Sequence, residues 1–111
     1  MFGIFKTLAA TVVLVALMAP HTDARASGRS GAEVVDQVCA ACHATGVLGA
    51  PKIGDHAAWA ERYKAGKDEM LKLATHGIRA MPPRGGSTFN DQQMKDAIAY
   101  MLHESGIDVT K

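Results

Sequence analysis

The stretch VCAACH, residues 38–43, holds both cysteines of the 111-residue chain, Cys39 and Cys42, with His43 directly behind them. A redox dithiol, half of a zinc site and an attachment point for haem all use thiols at this spacing. The surrounding sequence chooses among the three.

The first residues bear on compartment. Lys6 precedes an apolar run from Thr7 to Ala19, Pro20 ends it, and Ala24 and Ala26 flank Arg25 as small residues at a cleavage position. A positive start, a short apolar run and an A-x-A site predict a secretory signal over residues 1–26, leaving 27–111 as the mature domain. A bilayer span needs about 20 apolar residues, so no permanent membrane span is expected after cleavage. Export to the periplasm places Cys39 and Cys42 where free thiols seldom persist. Two cysteines build no disulfide framework, and a zinc ribbon wants a second pair.

Cleavage removes Lys6, Arg25 and Asp23 from 12 basic and 11 acidic residues, so the mature chain is near neutral. With no basic run and few aromatics to stack bases, nucleic acid is not an expected partner. About 85 residues barely suffice for a bare apolar core. The apolar residues here are mostly alanine and methionine, and a prosthetic group would supply the missing bulk.

The periodicity is helical throughout, which makes the fold class all-α. Ser30 and Glu33 form a capping box, and Val34, Val35, Val38, Cys39 and Cys42 share one face of a first helix that ends on the cysteine motif. ATGVLGAPKIG, residues 44–54, is a loop punctuated by Gly46, Gly49, Pro51 and Gly54. Asp55 caps a second helix that stops near Gly66, and a third turns Met70, Leu71, Leu73 and Ala74 inward before Gly77. Pro82 biases Met81 away from helical angles. The last helix opens with Asn90 and Gln93 as a second capping box, flanked by Phe89 and Met94 as a hydrophobic staple. Its apolar face is Met94, Ala97, Ile98, Met101 and Leu102, and Gly106 ends it.

C-x-x-C-H without strands reads as c-type haem attachment, since a thioredoxin-like dithiol wants a βαβ context. Thiols at i and i+3 share a helix face and reach two vinyl groups along one porphyrin side. His43 then serves as the proximal iron ligand. Candidates for the sixth position are Met70, Met81, Met94, Met101, His56, His76 and His103. Met70, Met94 and Met101 lie on apolar helix faces and read as core. Met81 sits in a loop, clamped by Pro82 and Pro83 and far enough from the cysteines to cross to the opposite haem face. A loop methionine also serves as gap-filler, but the two prolines and the softness of the thioether favour an iron ligand. His76 is the best rival.

The sequence resembles the class I c-type cytochromes, and within them the cytochrome c5 group. The resemblance rests on CAACH, on GVLGAPKIGDHAAWAERYKAG and on AMPPRGG, and it spans almost the whole mature chain. It implies a small cytochrome c fold, four to five short helices around one covalently attached haem. It also implies that the Pro51 carbonyl accepts a hydrogen bond from the proximal imidazole, although a loop-stiffening proline is the plain alternative. By the same resemblance Gly31 and Val35 meet Tyr100, and Trp59 and Pro82 line the haem pocket. The Trp59 indole is expected either to reach a haem propionate or simply to fill the core. Members of the c5 group often carry a second cysteine pair after the methionine loop; here that region reads GGSTFNDQQ.

These readings predict a non-enzymatic, monomeric, exported carrier of electrons between respiratory redox partners. Membrane respiratory complexes or periplasmic oxidoreductases would be its donor and acceptor. The alternatives are a five-coordinate haem enzyme or gas sensor, or a haem subunit of a larger oxidoreductase.

Overall fold

The computed structural model describes residues 30–109, together with Gly3 and residues 11–13. The leader expected over residues 1–26 therefore falls almost wholly outside the described residues.

The first helix is continuous over residues 31–43 but is built in three pieces. These are α1 (Gly31–Val34), a π-helical turn (Val35–Cys39) and α2 (Ala40–His43). Ser30 caps it reciprocally with Glu33: the Ser30 amide donates to Glu33 Oε2 at 2.8 Å, and the Glu33 amide to Ser30 Oγ at 3.4 Å. The π turn is a departure from the regular helix expected from the sequence. The Ala40 amide reaches back five residues to the Val35 carbonyl. That widening brings Val34 and Cys39, five apart, onto one buried face with Val35, while Val38 and Cys42 are half-buried. Single π turns of this kind are frequent at functional sites.

Three further α-helices follow: α3 (His56–Tyr63), α4 (Lys67–His76) and α5 (Asp91–Glu104). Asp55 caps α3 through its carboxylate, which accepts from the Ala58 amide at 3.1 Å. Asp68 and Glu69 in the first turn of α4 and His76 in its last complement the helix dipole. The capping box of Asn90 and Gln93 starts α5, and Gly106 closes it in a left-handed turn. The Ile107 amide bonds to the Leu102 carbonyl and the Gly106 amide to that of His103. Among the described residues there is no β-strand, only an isolated bridge between Ile78 and Met81.

The core lies where α1 and its π turn cross α5. Met94, Ala97, Ile98, Met101 and Leu102 are all at most 5 % exposed, the face expected of α5. Glycine is required at position 31, because a Cβ there would press on the Asp96 carbonyl and come within 3.2 Å of Tyr100 Cβ. The close approach expected between Gly31 and Tyr100 is thus present. On α4 the inward face is narrower than expected: Met70 and Ala74 are buried, but Leu73 is 37 % exposed. With about 100° between successive residues, Leu73 lies at the rim of the arc that Met70 and Ala74 occupy.

Ser105, at the end of α5, ties the opposite side of the fold together. Its buried hydroxyl accepts from the Gly54 amide at 3.0 Å, and its carbonyl accepts from His56 Nδ1 at 3.0 Å. The C-terminal end of the loop of residues 44–54 is thereby anchored twice: to α2 through the Ile53 amide to the His43 carbonyl at 2.7 Å, and to the end of α5 through Gly54 and Ser105.

Candidate functional site

Cys39 and Cys42 are both free thiols, three residues apart on the helix that ends at His43. Cys39 is buried and Cys42 half-buried. Burial raises the Cys39 thiol above its ordinary range, opposed in part by a backbone hydrogen bond. No cluster of three or more His, Cys, Asp or Glu stands together among the described residues, so the thiol pair lacks the neighbours to complete a zinc tetrad.

His43 ends α2, and its ring is held from two sides. Its Nδ1 lies 2.8 Å from the Pro51 carbonyl oxygen. A carbonyl only accepts, so Nδ1 carries the proton and donates it, leaving the Nε2 lone pair free for a metal. The loop reverses direction to deliver that carbonyl, using left-handed angles at Gly46, Leu48 and Gly49 (φ 76, 56 and 80°). Ala50 before the proline is extended at φ −63°, ψ 136°.

Trp59 stands on the other side. It is 3 % exposed, and its ring centroid is 5.4 Å from that of His43 at an interplanar angle of 41°. Its indole N–H donates to the Lys52 carbonyl at 2.9 Å. The indole donor is thus directed to the backbone, and Trp59 is buried beside the imidazole. Consecutive carbonyls, Pro51 and Lys52, therefore hold His43 and Trp59. No periodicity in the sequence points to the Lys52 carbonyl, because a backbone acceptor leaves no trace in residue type.

Met81 lies in a compact turn after α4. Ile78 and Met81 exchange two backbone hydrogen bonds, 3.0 and 2.9 Å long. Pro82 follows in an extended conformation and opens a tight turn over Pro83–Gly86 in which Arg84 and Gly85 take left-handed angles. Gly77 makes this fold-back possible, since a Cβ there would sit 2.8 Å from the Met81 carbonyl and 2.9 Å from the Pro83 nitrogen. Gly85 in turn lies against the first helix, where a Cβ would come within 2.8 Å of Val38. Met70, Met94 and Met101 are 8, 2 and 5 % exposed, whereas Met81 is half-buried. Among the described methionines, Met81 alone is not fully buried, although it packs against the core. His56 and His76 each donate through Nδ1 to a backbone carbonyl, Ser105 at 3.0 Å and Lys72 at 2.8 Å, and both are exposed. His103 is exposed on α5, 3.5 Å from a Glu104 carboxylate oxygen.

The donor set of two thiols one helical turn apart, an imidazole with a free Nε2 and a half-buried methionine fits a covalently held haem. Residues 26–101 match the family model described as "Cytochrome C oxidase, cbb3-type, subunit III". The chain is 47 % identical to cytochrome c5 of Ectopseudomonas mendocina over 76 residues, 66 % of this chain and 87 % of that protein. The chain belongs to the class I c-type cytochromes. Cytochrome c-555 of Chlorobaculum tepidum is 35 % identical over 105 residues, covering 90 % of this cytochrome and 97 % of the relative. Among solved structures, a chain from an electron-transfer complex of nitrite reductase with cytochrome c superposes with a TM-score of 0.66 at 40 % identity. It covers 68 % of this cytochrome and 93 % of that chain.

This cytochrome has the small all-α cytochrome c fold, carries covalently bound haem c and is a single-haem electron carrier rather than an enzyme. Its likeness to the c5 group stands despite the absence of a second cysteine pair. No helix among the described residues is long and apolar enough to cross a membrane.

Proposed function

We propose that this cytochrome shuttles single electrons in the periplasm with His43 and Met81 as the axial pair of its haem iron. Residues 1–26 direct its export and are then removed. Cys39 and Cys42 hold the haem as thioethers, and His43 presents Nε2. Met81 presents its sulfur from the other side of the pocket, with Pro82 fixing the backbone behind it. The single observation that carries this reading is the 2.8 Å bond from His43 Nδ1 to the Pro51 carbonyl, which commits one ring nitrogen and frees the other.

The haem iron supplies reversible one-electron chemistry, and methionine ligation raises its potential. The chain's own residues keep that chemistry simple. His43 and Met81 would hold the iron from its two sides, which would leave no coordination site for a substrate. The hydrogen bond to Pro51 fixes the imidazole and strengthens it as a donor. The buried indole of Trp59 braces the ring against rotation. Redox enzymes are the natural partners, as nitrite reductase is for the cytochrome of the solved complex. Periplasmic oxidoreductases and membrane respiratory complexes would then act as donor and acceptor.

The intact mass of the protein exported from its host, read with its oxidised and reduced spectra, tests the reading. One covalently bound haem on a chain beginning at Ser27, with reversible reduction and no change on adding carbon monoxide, is the expected result. A chain retaining residues 1–26 would overturn the export assignment, and a high-spin spectrum that shifts with carbon monoxide would overturn the axial pair.

A further inference from the structure

The segment from His43 to Trp59 supports its own imidazole through the backbone. The Pro51 carbonyl accepts from His43 Nδ1, the Lys52 carbonyl from both the Trp59 indole and the Asp55 amide, and the Ile53 amide bonds back to the His43 carbonyl. All of these bonds lie within residues 43–59. They set the shape of the segment without fixing it to the helices of the core.

Gly54 and His56 tie the segment to the end of α5, and both do so at Ser105. The Gly54 amide donates to Ser105 Oγ and His56 Nδ1 to the Ser105 carbonyl, each at 3.0 Å, across 51 and 49 residues of chain. Gly106 lies beside the second bond: a Cβ there would be 3.3 Å from His56 Nδ1.

Serine is an unusual choice at this position. Ser105 is 3 % exposed and is the one buried polar residue among those described, in a run whose other buried members, Met101, Leu102 and Ile107, are apolar. Its hydroxyl is not needed to end α5. The Ile107 and Gly106 amides close the helix on the Leu102 and His103 carbonyls, and the Ser105 amide bonds to the carbonyls of Met101 and Leu102. Burying a hydroxyl costs free energy unless it is hydrogen-bonded, and alanine would fill the position without that cost. What serine adds here is the bond to Gly54.

We infer that Ser105 is a positioning residue for His43: through Gly54 it holds the segment whose Pro51 carbonyl orients the imidazole and sets its strength as an iron donor. The inference rests on His43 as an axial ligand. Pro51 and Gly54 are three residues apart, a reach of at most about 10 Å, and Ile53 between them is bonded to the His43 backbone. Little slack remains between the hydroxyl and the carbonyl. A Pro51 carbonyl held in place keeps the Nδ1 bond made, which strengthens Nε2 as a donor and favours the ferric iron.

The haem-loaded protein is diamagnetic in its reduced, low-spin form, so NMR can follow the His43 Nδ1 proton as it exchanges with solvent. Ser105→Ala should speed that exchange about fivefold, the factor expected when one hydrogen bond is lost from a local opening equilibrium. It should also move the midpoint potential to a more positive value, because a loosened Pro51 bond leaves Nε2 a weaker donor. Ile107→Val trims the same end of α5 without touching the hydroxyl. That variant should lower the melting temperature by about 2–8 °C and leave exchange and potential as in the wild type. Unchanged exchange or an unmoved potential in Ser105→Ala would overturn the positioning role. Equal shifts in Ile107→Val would also overturn it, because any loosening of α5 would then suffice. The wild-type spectrum separates this from the axial assignment, since the haem ring current carries the ring protons of an axial imidazole far upfield. If the His43 protons are not so shifted while Ser105→Ala still speeds exchange, His43 ligation fails and the Ser105 anchor of the Pro51 segment stands.

Discussion

The two sides of the proposed iron site are positioned by different means. On the histidine side the ring itself is held: Nδ1 by the Pro51 carbonyl, and one ring face by Trp59, whose own N–H is held by Lys52. On the methionine side no hydrogen bond among the described residues reaches the side chain. Instead the backbone is confined by the paired bonds between Ile78 and Met81, by Pro82 and Pro83, and by the fold-back at Gly77. The difference follows from ligand chemistry. An imidazole has a second nitrogen through which a neighbour can fix its tautomer and orientation. A thioether has no donor and is only a weak acceptor, so the chain must place its sulfur by placing its Cα.

That contrast predicts unequal responses to mutation. Gly77 has φ 85° and ψ 151°, a region open essentially to glycine alone, and its Cα faces the Met81 carbonyl. Gly77→Ala should therefore destabilise the protein by about 2–3 kcal/mol and weaken the far-red iron–methionine band of the oxidised form. Chemical denaturation and the optical spectrum check both, and an intact band would show that Met81 is not held by its backbone. Trp59→Phe should do less. It removes one hydrogen bond and leaves the Lys52 carbonyl without its donor, a loss of about 1 kcal/mol, with the low-spin spectrum preserved because Pro51 still holds the imidazole. Loss of the low-spin spectrum in Trp59→Phe would mean that the indole, not the Pro51 carbonyl, orients His43.

Much of this site is legible in residue types because capping, spacing and proline act locally. Ser30 with Glu33, Asn90 with Gln93, and the five apolar residues of α5 are visible in the sequence and stand as read. The Pro51 carbonyl was implied by resemblance and lies where the imidazole needs it. What escaped depends on long-range or backbone geometry. The π turn at Val35–Cys39 contains neither glycine nor proline to announce it. Leu73 falls inward by residue type but is 37 % exposed, because the buried face of α4 is centred on Met70 and Ala74. The Trp59 indole finds its acceptor only because Gly46, Leu48 and Gly49 turn the loop, and one of those three is not a residue that signals a left-handed turn.

The most direct test of the central claim is the oxidised optical spectrum of Met81→Ala beside that of the wild type. The account predicts a far-red iron–methionine band in the wild type, its complete loss in the variant, a change to high spin and new binding of carbon monoxide by the reduced form. A wild type without that band, or a variant that keeps it, would contradict the assignment of Met81 as the ligand opposite His43.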